Sequence, residues 1–503
     1  MAATVIDPST AYVSRREVDY LDVRPTQAGL TGSSWIQVKP YSLDKRDTTF
    51  QFSLEPSPVH FIDLNETKFL AQVRIVKDDG SLLVGEAHSQ TTNQKALNRK
   101  RHLYLINDDS RSVDDEAYKN MTVETLSAED MLAYPKSSAE DVAPINLLAQ
   151  WLFKTVRVKC GPYQFMDSGD KLNYISYLTT MLMATKSAKR TWMGLGVSEE
   201  DAVGEMETLE GVGFAARKEE FGTSQLVTIG GRLGGDMFNG ITKWWPPGNN
   251  LNVTLMRATD DFLLMHNKGS NKYRLEIVSL SLYFRRHLLL GSLRDQKRKM
   301  LMDGLAMKIP ITRYACTNVY LNARQTDFPS TPITYGQLPR RIWVMFVSKV
   351  AFDGSHKRHP GRFGNYNLSE IKVIYGTHQL PNTEQIMFFE KNDAHVGPTP
   401  TTGSMCHWQY EELLRSVGGM YSTNPPDITK AQFEKDFCVF AFDLGLDYKS
   451  NDTSWIPIEQ GTVTVHCKFR TPLAEPVQAV IIAEFENQIS YHADHSMTMD
   501  YNV

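Results

Sequence analysis

Apolar residues recur at every second position in short stretches along the whole chain, the spacing that places alternate side chains on one face of a β-strand. Phe50, Phe52 and Leu54 alternate with polar neighbours, and Phe69, Ala71, Val73 and Ile75 oppose Gln72 and Arg74 ahead of an Asp78-Asp79-Gly80 turn. Val156 and Val158 repeat the pattern, as do Leu251, Val253 and Leu255, and later Val463, Val465, Cys467 and Phe469. The continuous apolar runs at 343–347 and 480–482 read as more fully buried strands. Helical spacing belongs to connections, notably Leu172, Ile175, Leu178 and Leu182, and then Tyr410, Leu413, Leu414 and Val417. Pro246-Pro247-Gly248, Pro360-Gly361 and Pro425-Pro426 punctuate the strands, with long loops between them. The pattern predicts an all-β chain of sandwiches with helices only in the connections.

The charged stretch from Arg285 to Lys299, with Leu288, Leu289 and Leu290 inside it, separates two β-rich halves of comparable size and marks a domain junction. A second change of composition runs through 81–141. It holds Asp108, Asp109, Ser110, Asp114 and Asp115 and the basic run 95–101, and reads as a long excursion from the first sandwich.

With 503 residues, 41% of them apolar and 10% aromatic, the chain is long enough for at least two well-filled cores. The 54 Lys and Arg against 58 Asp and Glu leave a net charge of −4, so any contact with nucleic acid must be local. Five scattered cysteines, Cys160, Cys316, Cys406, Cys438 and Cys467, give no disulfide spacing and fit a reducing compartment. The N-terminus lacks the apolar core of a signal peptide and no run of about 18 apolar residues is present to span a membrane. A cytosolic or nuclear protein is expected, in which the sequons at Asn65, Asn120, Asn252, Asn367 and Asn451 stay unmodified.

Each chemical motif has a plainer explanation. The cluster Gly230, Gly231, Gly234, Gly235 lacks the Gly-Lys-Ser/Thr ending of a phosphate loop and reads as a turn or bulge; Gly194, Gly196, Gly211 and Gly213 are weaker still. The pairs His356/His359 and His492/His495 have no partner set at metal-ligand spacing and read as solvated loop histidines, the first inside a basic run suited to a carboxylate or phosphate contact. Cys406-His407 are chain neighbours without evident attack geometry, so a buried or half-buried thiol is expected. Asp78-Asp79 and Asp260-Asp261 fall where side-chain capping of turns accounts for them. No catalytic, cofactor-binding or metal residue is assigned, and no cofactor is expected. Trp244-Trp245 point to opposite faces if they lie on a strand, so one enters the core and the other packs under a loop or meets another subunit.

Five segments, 61–81, 142–161, 231–264, 338–381 and 437–447, resemble the double jelly-roll major capsid proteins of the adenovirus and tectivirus lineage. The branch most resembled is that of the capsid-type proteins of Polinton or Maverick elements, adintoviruses and adomaviruses. The resemblance implies two consecutive jelly-roll sandwiches, an N-terminal arm at 1–34, a first roll at 35–287 with its excursion at 81–141, a connector at 288–308, a second roll at 309–490 and a tail at 491–503. It implies a homotrimer whose six sandwiches form a pseudo-hexagonal block, tiling the facets of an icosahedral virion of a DNA virus assembled in the host nucleus or cytoplasm. Penton or minor capsid proteins are the implied partners, and arm and tail would order on assembly. Non-specific contact with packaged DNA would fall to the basic runs, 95–101 reading more readily as a solvated face and 285–299 as a base or connector feature. A minor or vertex capsid component, or a host-domesticated relic, is the alternative. A polysaccharide-active jelly roll would need a carboxylate pair along a groove, which the sequence does not offer at identifiable positions.

Overall fold

The computed structural model describes residues 29–44, 46–83, 140–185, 188, 201–269, 272–329, 332–383, 385–389, 406–419, 425–445 and 458–501. Most of the expected arm (1–28), the body of the excursion (84–139) with its basic run, Gly194, Gly196 and residues 502–503 lie outside the described residues.

The alternating stretches form strands. In the first half these are β1 (Leu30–Val38), β2 (Thr49–Leu54), β3 (His60–Lys77), β4 (Val142–Pro144), β5 (Phe153–Cys160), β6 (Tyr163–Asp167), β7 (Val227–Arg232), β8 (Leu251–Arg257), β9 (Leu264–His266) and β10 (Tyr273–Leu289). One sheet runs β1-β10-β3-β7 and another β2-β8-β5-β6, while β4 pairs with β9. The second half contains β11 (Met307–Leu321), β12 (Pro332–Gln337), β13 (Arg341–Ser348), β14 (Leu368–Tyr375), β15 (His378–Leu380), β16 (Val439–Asp443), β17 (Gln460–Phe469), β18 (Val477–Tyr491) and β19 (Met497–Met499). Its sheets run β11-β18-β13-β16 and β12-β17-β14-β15, with β19 added on β18.

With the short β4, β9 and β19 set aside, each half has eight strands, and the two halves share one topology. Numbered within its half, each gives a sheet of order 1-8-3-6 and a sheet of order 2-7-4-5. That is the strand order of a jelly roll, and its repetition makes the chain a double jelly roll.

The residues that alternate in the sequence are those that leave water. Phe50, Phe52 and Leu54 on β2 are buried in one core with Phe69, Ala71, Val73 and Ile75 on β3. Phe69 meets Phe153 edge-on at 5.2 Å, joining the two sheets of the first roll, and Phe346 meets Phe469 at 5.4 Å in the second. All of β13 is buried, as the unbroken apolar run at 343–347 requires. The two helical spacings become the helices Leu172–Met183 and His407–Ser416.

Between the rolls, β10 ends at Leu289, the helix Gly291–Met302 follows with none of its residues buried, and β11 begins at Met307. Two terminal stretches differ from the sequence reading. β1 starts at Leu30, inside the stretch 1–34 read as an arm, because it pairs along β10 from Leu289 to Leu282. In the stretch read as a tail, Met497–Met499 pairs with Ile489–Tyr491 and Tyr501 is buried, so the chain to residue 501 is packed on the body.

Candidate functional site at the seam between the rolls

The side chains that join the two rolls are mainly aromatic. Trp151, fully buried, stands edge-on to Tyr174 at 5.3 Å and lies against Tyr177 at 4.6 Å. From the second roll Phe352 stacks on Tyr174 at 5.6 Å, while Phe363 and Phe437 approach Tyr177 at 5.9 and 6.2 Å. Each such pair contributes about 0.5–1.5 kcal/mol beyond its burial. Gly361 lets the rolls close: a Cβ there would lie 2.8 Å from Trp151 Cζ2 and 3.0 Å from Tyr177 Cε1.

Main-chain bonds cross the same seam. Thr312 N–H donates to the Gly240 carbonyl (3.0 Å), Thr242 N–H to that of Pro310 (3.3 Å), and His266 N–H to that of His356 (2.9 Å). The Tyr491 and Tyr501 hydroxyls donate to the carbonyls of Pro247 (3.1 Å) and Phe165 (3.2 Å), tying the end of the second roll to the first. At Gly240 a Cβ would sit 2.3 Å from the Thr312 carbonyl oxygen, so only glycine permits this crossing.

Charges in the seam are paired. Arg217 donates to both oxygens of Asp201, at 2.9 and 3.1 Å, and to the Pro144 carbonyl at 2.8 Å. Glu207 of the first roll accepts from Arg358 (2.9 Å) and Arg362 (2.5 Å), and Arg362 also faces Asp436 at 3.4 Å. Buried Asp236 accepts the Tyr314 N–H at 3.0 Å; burial pushes its carboxyl up to about 7, although that bond and Arg313 pull the other way. His359 has no exposed surface and its Nδ1 accepts the Gly361 N–H at 2.9 Å. Burial, followed by the charge of Arg217, holds its imidazole down to about 3.

Several motif residues sit where the sequence did not place them. Gly230 and Gly231 lie inside β7 rather than in a turn, because β7 pairs there with Phe69 and Leu70 of β3 and small residues suit that close approach. Gly234 and Gly235 precede the helix Asp236–Asn239, with Gly235 at φ 100°; Gly211 caps the helix Val212–Glu220, whose Gly213 is buried. His356 and His359 are not solvated: the first is half-buried and the second fully buried, drawn in by the closing of the two rolls. Their basic neighbours Arg358 and Arg362 do bind a carboxylate, that of Glu207 in the same chain. His492 contacts Thr498 Oγ1 at 3.1 Å, and His495 is exposed beside Tyr491.

Cys406 is buried with its thiol 3.6 Å from Glu434, while His407 turns to Lys430 at 3.1 Å, so the neighbours do not face each other. Asp79 caps the turn by accepting the N–H and hydroxyl of Ser81 at 2.8 and 2.6 Å. Asp260 opens the helix Asp260–Leu263, accepts the Leu275 N–H at 2.9 Å and pairs with Arg257. Trp245 is fully buried, 5.2 Å from Phe165, and contacts the first sheet through a single bridge to Ile62 rather than a strand. Trp244 stacks on His287 at 4.2 Å and lines an open groove of about 690 Å³ with Leu289, Leu301 and Leu305. In the basic run 285–299, Arg285 lies over the ring of Trp35 at 5.9 Å. No helix among the described residues is long and apolar enough to cross a membrane.

No family model matches the chain. An uncharacterised protein of Caenorhabditis elegans is 22% identical over 355 residues, spanning 69% of this chain and 79% of its own length. A chain of the cryo-EM structure of the Sputnik virophage aligns with a TM-score of 0.57 at 9% identity, covering 100% of this chain and 95% of that one. A chain of the quasi-atomic PBCV-1 virus capsid aligns with a TM-score of 0.51 at 8% identity, covering 96% and 100%. At such identities the likeness is one of fold, carried by both rolls in sequence. The chain has the double jelly-roll fold of these virus structures over its whole described length.

Proposed function

We propose that the chain is a major capsid protein, a shell-building unit that associates as a homotrimer and then as a lattice of trimers. The observation that carries this reading is the repeated 1-8-3-6 and 2-7-4-5 sheet order, with the two rolls locked side by side by a buried seam. A protomer with two equivalent walls supplies six from three copies, and a six-sided block tiles a surface. Exposed aromatics outside both cores, Trp35 at 45%, Trp408 at 50% and Tyr335 at 74% of their surface, provide apolar area for contacts between copies. The reading includes no catalytic step and no cofactor. It places the chain in a virion capsid put together in the nucleus or cytoplasm, beside penton or minor capsid proteins. The exposed helix Gly291–Met302, with Arg294, Lys297, Arg298 and Lys299, supports a base or connector role with non-specific contact to packaged DNA.

The test is mass measurement and electron microscopy of the purified chain expressed alone. Trimers with a hexagonal outline, or closed particles, are expected; a chain that stays monomeric at every concentration overturns the proposal. A second reading, a host-domesticated relic or a minor component, is favoured by the nematode relative, which comes from a cellular organism. Trimers that form but never close a shell, in low copy number in any particle, would select it.

A further inference from the structure

The closing of the two rolls brings together three side chains with metal-ligating atoms that no spacing in the sequence connects. Asp261, His266 and His356 offer a carboxylate oxygen and two imidazole nitrogens that all lie within 4.8 Å of one another. Asp261 and His266 come from the first roll, from the helix Asp260–Leu263 and the end of β9. His356 comes from the second, in the turn after the helix Lys349–Asp353. We propose that these three residues bind a zinc-class divalent cation that staples the first jelly roll to the second.

A further observation supports a ligand here. His266 is 1% exposed, yet its Nδ1 meets no hydrogen-bond partner of good geometry, a state that buried polar atoms rarely occupy. A metal ion accepts that lone pair where no protein donor does. The two main chains are held together, the His266 main-chain N–H donating to the His356 carbonyl at 2.9 Å, while the rings stack at 4.6 Å with 13° between their planes, so the His356 ring must turn out of the stack for both lone pairs to meet one ion.

Two nitrogens and one carboxylate suit zinc, cobalt or nickel rather than magnesium or calcium, which take oxygen sets. Tetrahedral zinc with ligand bonds of about 2.0–2.2 Å needs donor atoms roughly 3.3 Å apart, so the set must close by about 1 Å or more. Asp261 and His356 are half-buried, and it is these two side chains that must turn toward the buried ring of His266. Three protein ligands leave a fourth position for water.

The full chain, untagged and stripped with a chelator, is dialysed against Zn²⁺, Mg²⁺ or no metal, and its metal content and thermal unfolding are measured. One tightly held zinc per chain is expected, with a midpoint raised by Zn²⁺ and unmoved by Mg²⁺, and a four-coordinate cobalt spectrum when Co²⁺ replaces it. His356→Ala and the near-isosteric Asp261→Asn should each lose the bound zinc and the shift while keeping the metal-free midpoint close to that of the parent. His492→Ala combined with His495→Ala should keep both. No retained zinc in the parent, or zinc and shift retained in Asp261→Asn and His356→Ala alike, overturns the proposal. None of these readings depends on trimer formation, so the shell-building proposal stands or falls separately.

Discussion

Arg217 grips Asp201 through two hydrogen bonds of 2.9 and 3.1 Å, and their side chains are 1% and 2% exposed. Burial works to raise the Asp201 pKa and the guanidinium works to lower it, with a raised net value. Such a pair punishes the loss of one member more than the loss of both. Asp201→Ala is expected to cost about 3–5 kcal/mol, because it strands a guanidinium out of water. Asp201→Leu with Arg217→Met should cost clearly less than either single change in denaturant unfolding. Additive losses would refute this account.

Gly240 and Gly32 make a matched pair. A methyl at Gly240 meets the main chain of Thr312, which has no rotamer to yield, whereas at Gly32 nothing lies within 4 Å. Gly240→Ala should destabilise by about 1–3 kcal/mol or more through overpacking, and Gly32→Ala should be near neutral. The check is the denaturation midpoint of each variant. Equal midpoints would mean that the seam is looser than described.

His359 and Asp236 tilt stability in opposite directions with pH. His359 is neutral in the folded chain down to about 3, against 6.5 when unfolded, so its contribution is present above pH 6.5 and lost as pH falls toward 3. Asp236 stays protonated up to about 7, against 3.8 when unfolded, so its contribution is present below pH 3.8 and lost as pH rises through 7. Between pH 3.8 and 6.5 the two slopes oppose, each by at most about 1.4 kcal/mol per pH unit. Relative to the parent, His359→Asn should make stability fall with rising pH in this window, and Asp236→Asn should make it rise. Unfolding free energies across the window give the sign directly.

The two tryptophans separate core from surface. Trp245→Ala empties a fully buried site and should cost about 3–5 kcal/mol while leaving the assembly state of the surviving folded chain unchanged. Trp244→Ala removes a ring stacked on His287 and should cost about 0.5–1.5 kcal/mol. If the groove beside Trp244 is a subunit contact, that variant also loses trimers at a nearly unchanged melting temperature. Trimers that survive Trp244→Ala would assign the ring to local packing alone.

The strands were legible because their signal is local: the period-two runs at Phe69 to Ile75 and Val463 to Phe469 each bury one face. The seam was not, since Trp151, Tyr177 and Phe363 read as ordinary core aromatics until the rolls are brought together. The solvated reading of His359 failed for that reason: its run, rich in Lys and Arg, spends those charges on Glu207 of the other roll. Gly230 and Gly231 misled because glycine pairs usually mark turns, whereas here they let β7 lie against Phe69 and Leu70. For Asp261, His266 and His356 the signal was absent, since the third residue lies in the other half of the chain.

A long ladder pairs β3 with β10, and Gln72 meets Ser279 across 207 positions of sequence. During synthesis the eighteen residues of β3 emerge well before their partners β7 and β10 are made, with both edges unpaired and an apolar face uncovered. A nascent chain in that state is prone to aggregate, so folding yield should depend on chaperone supply and translation speed more than on the stability of the finished protein.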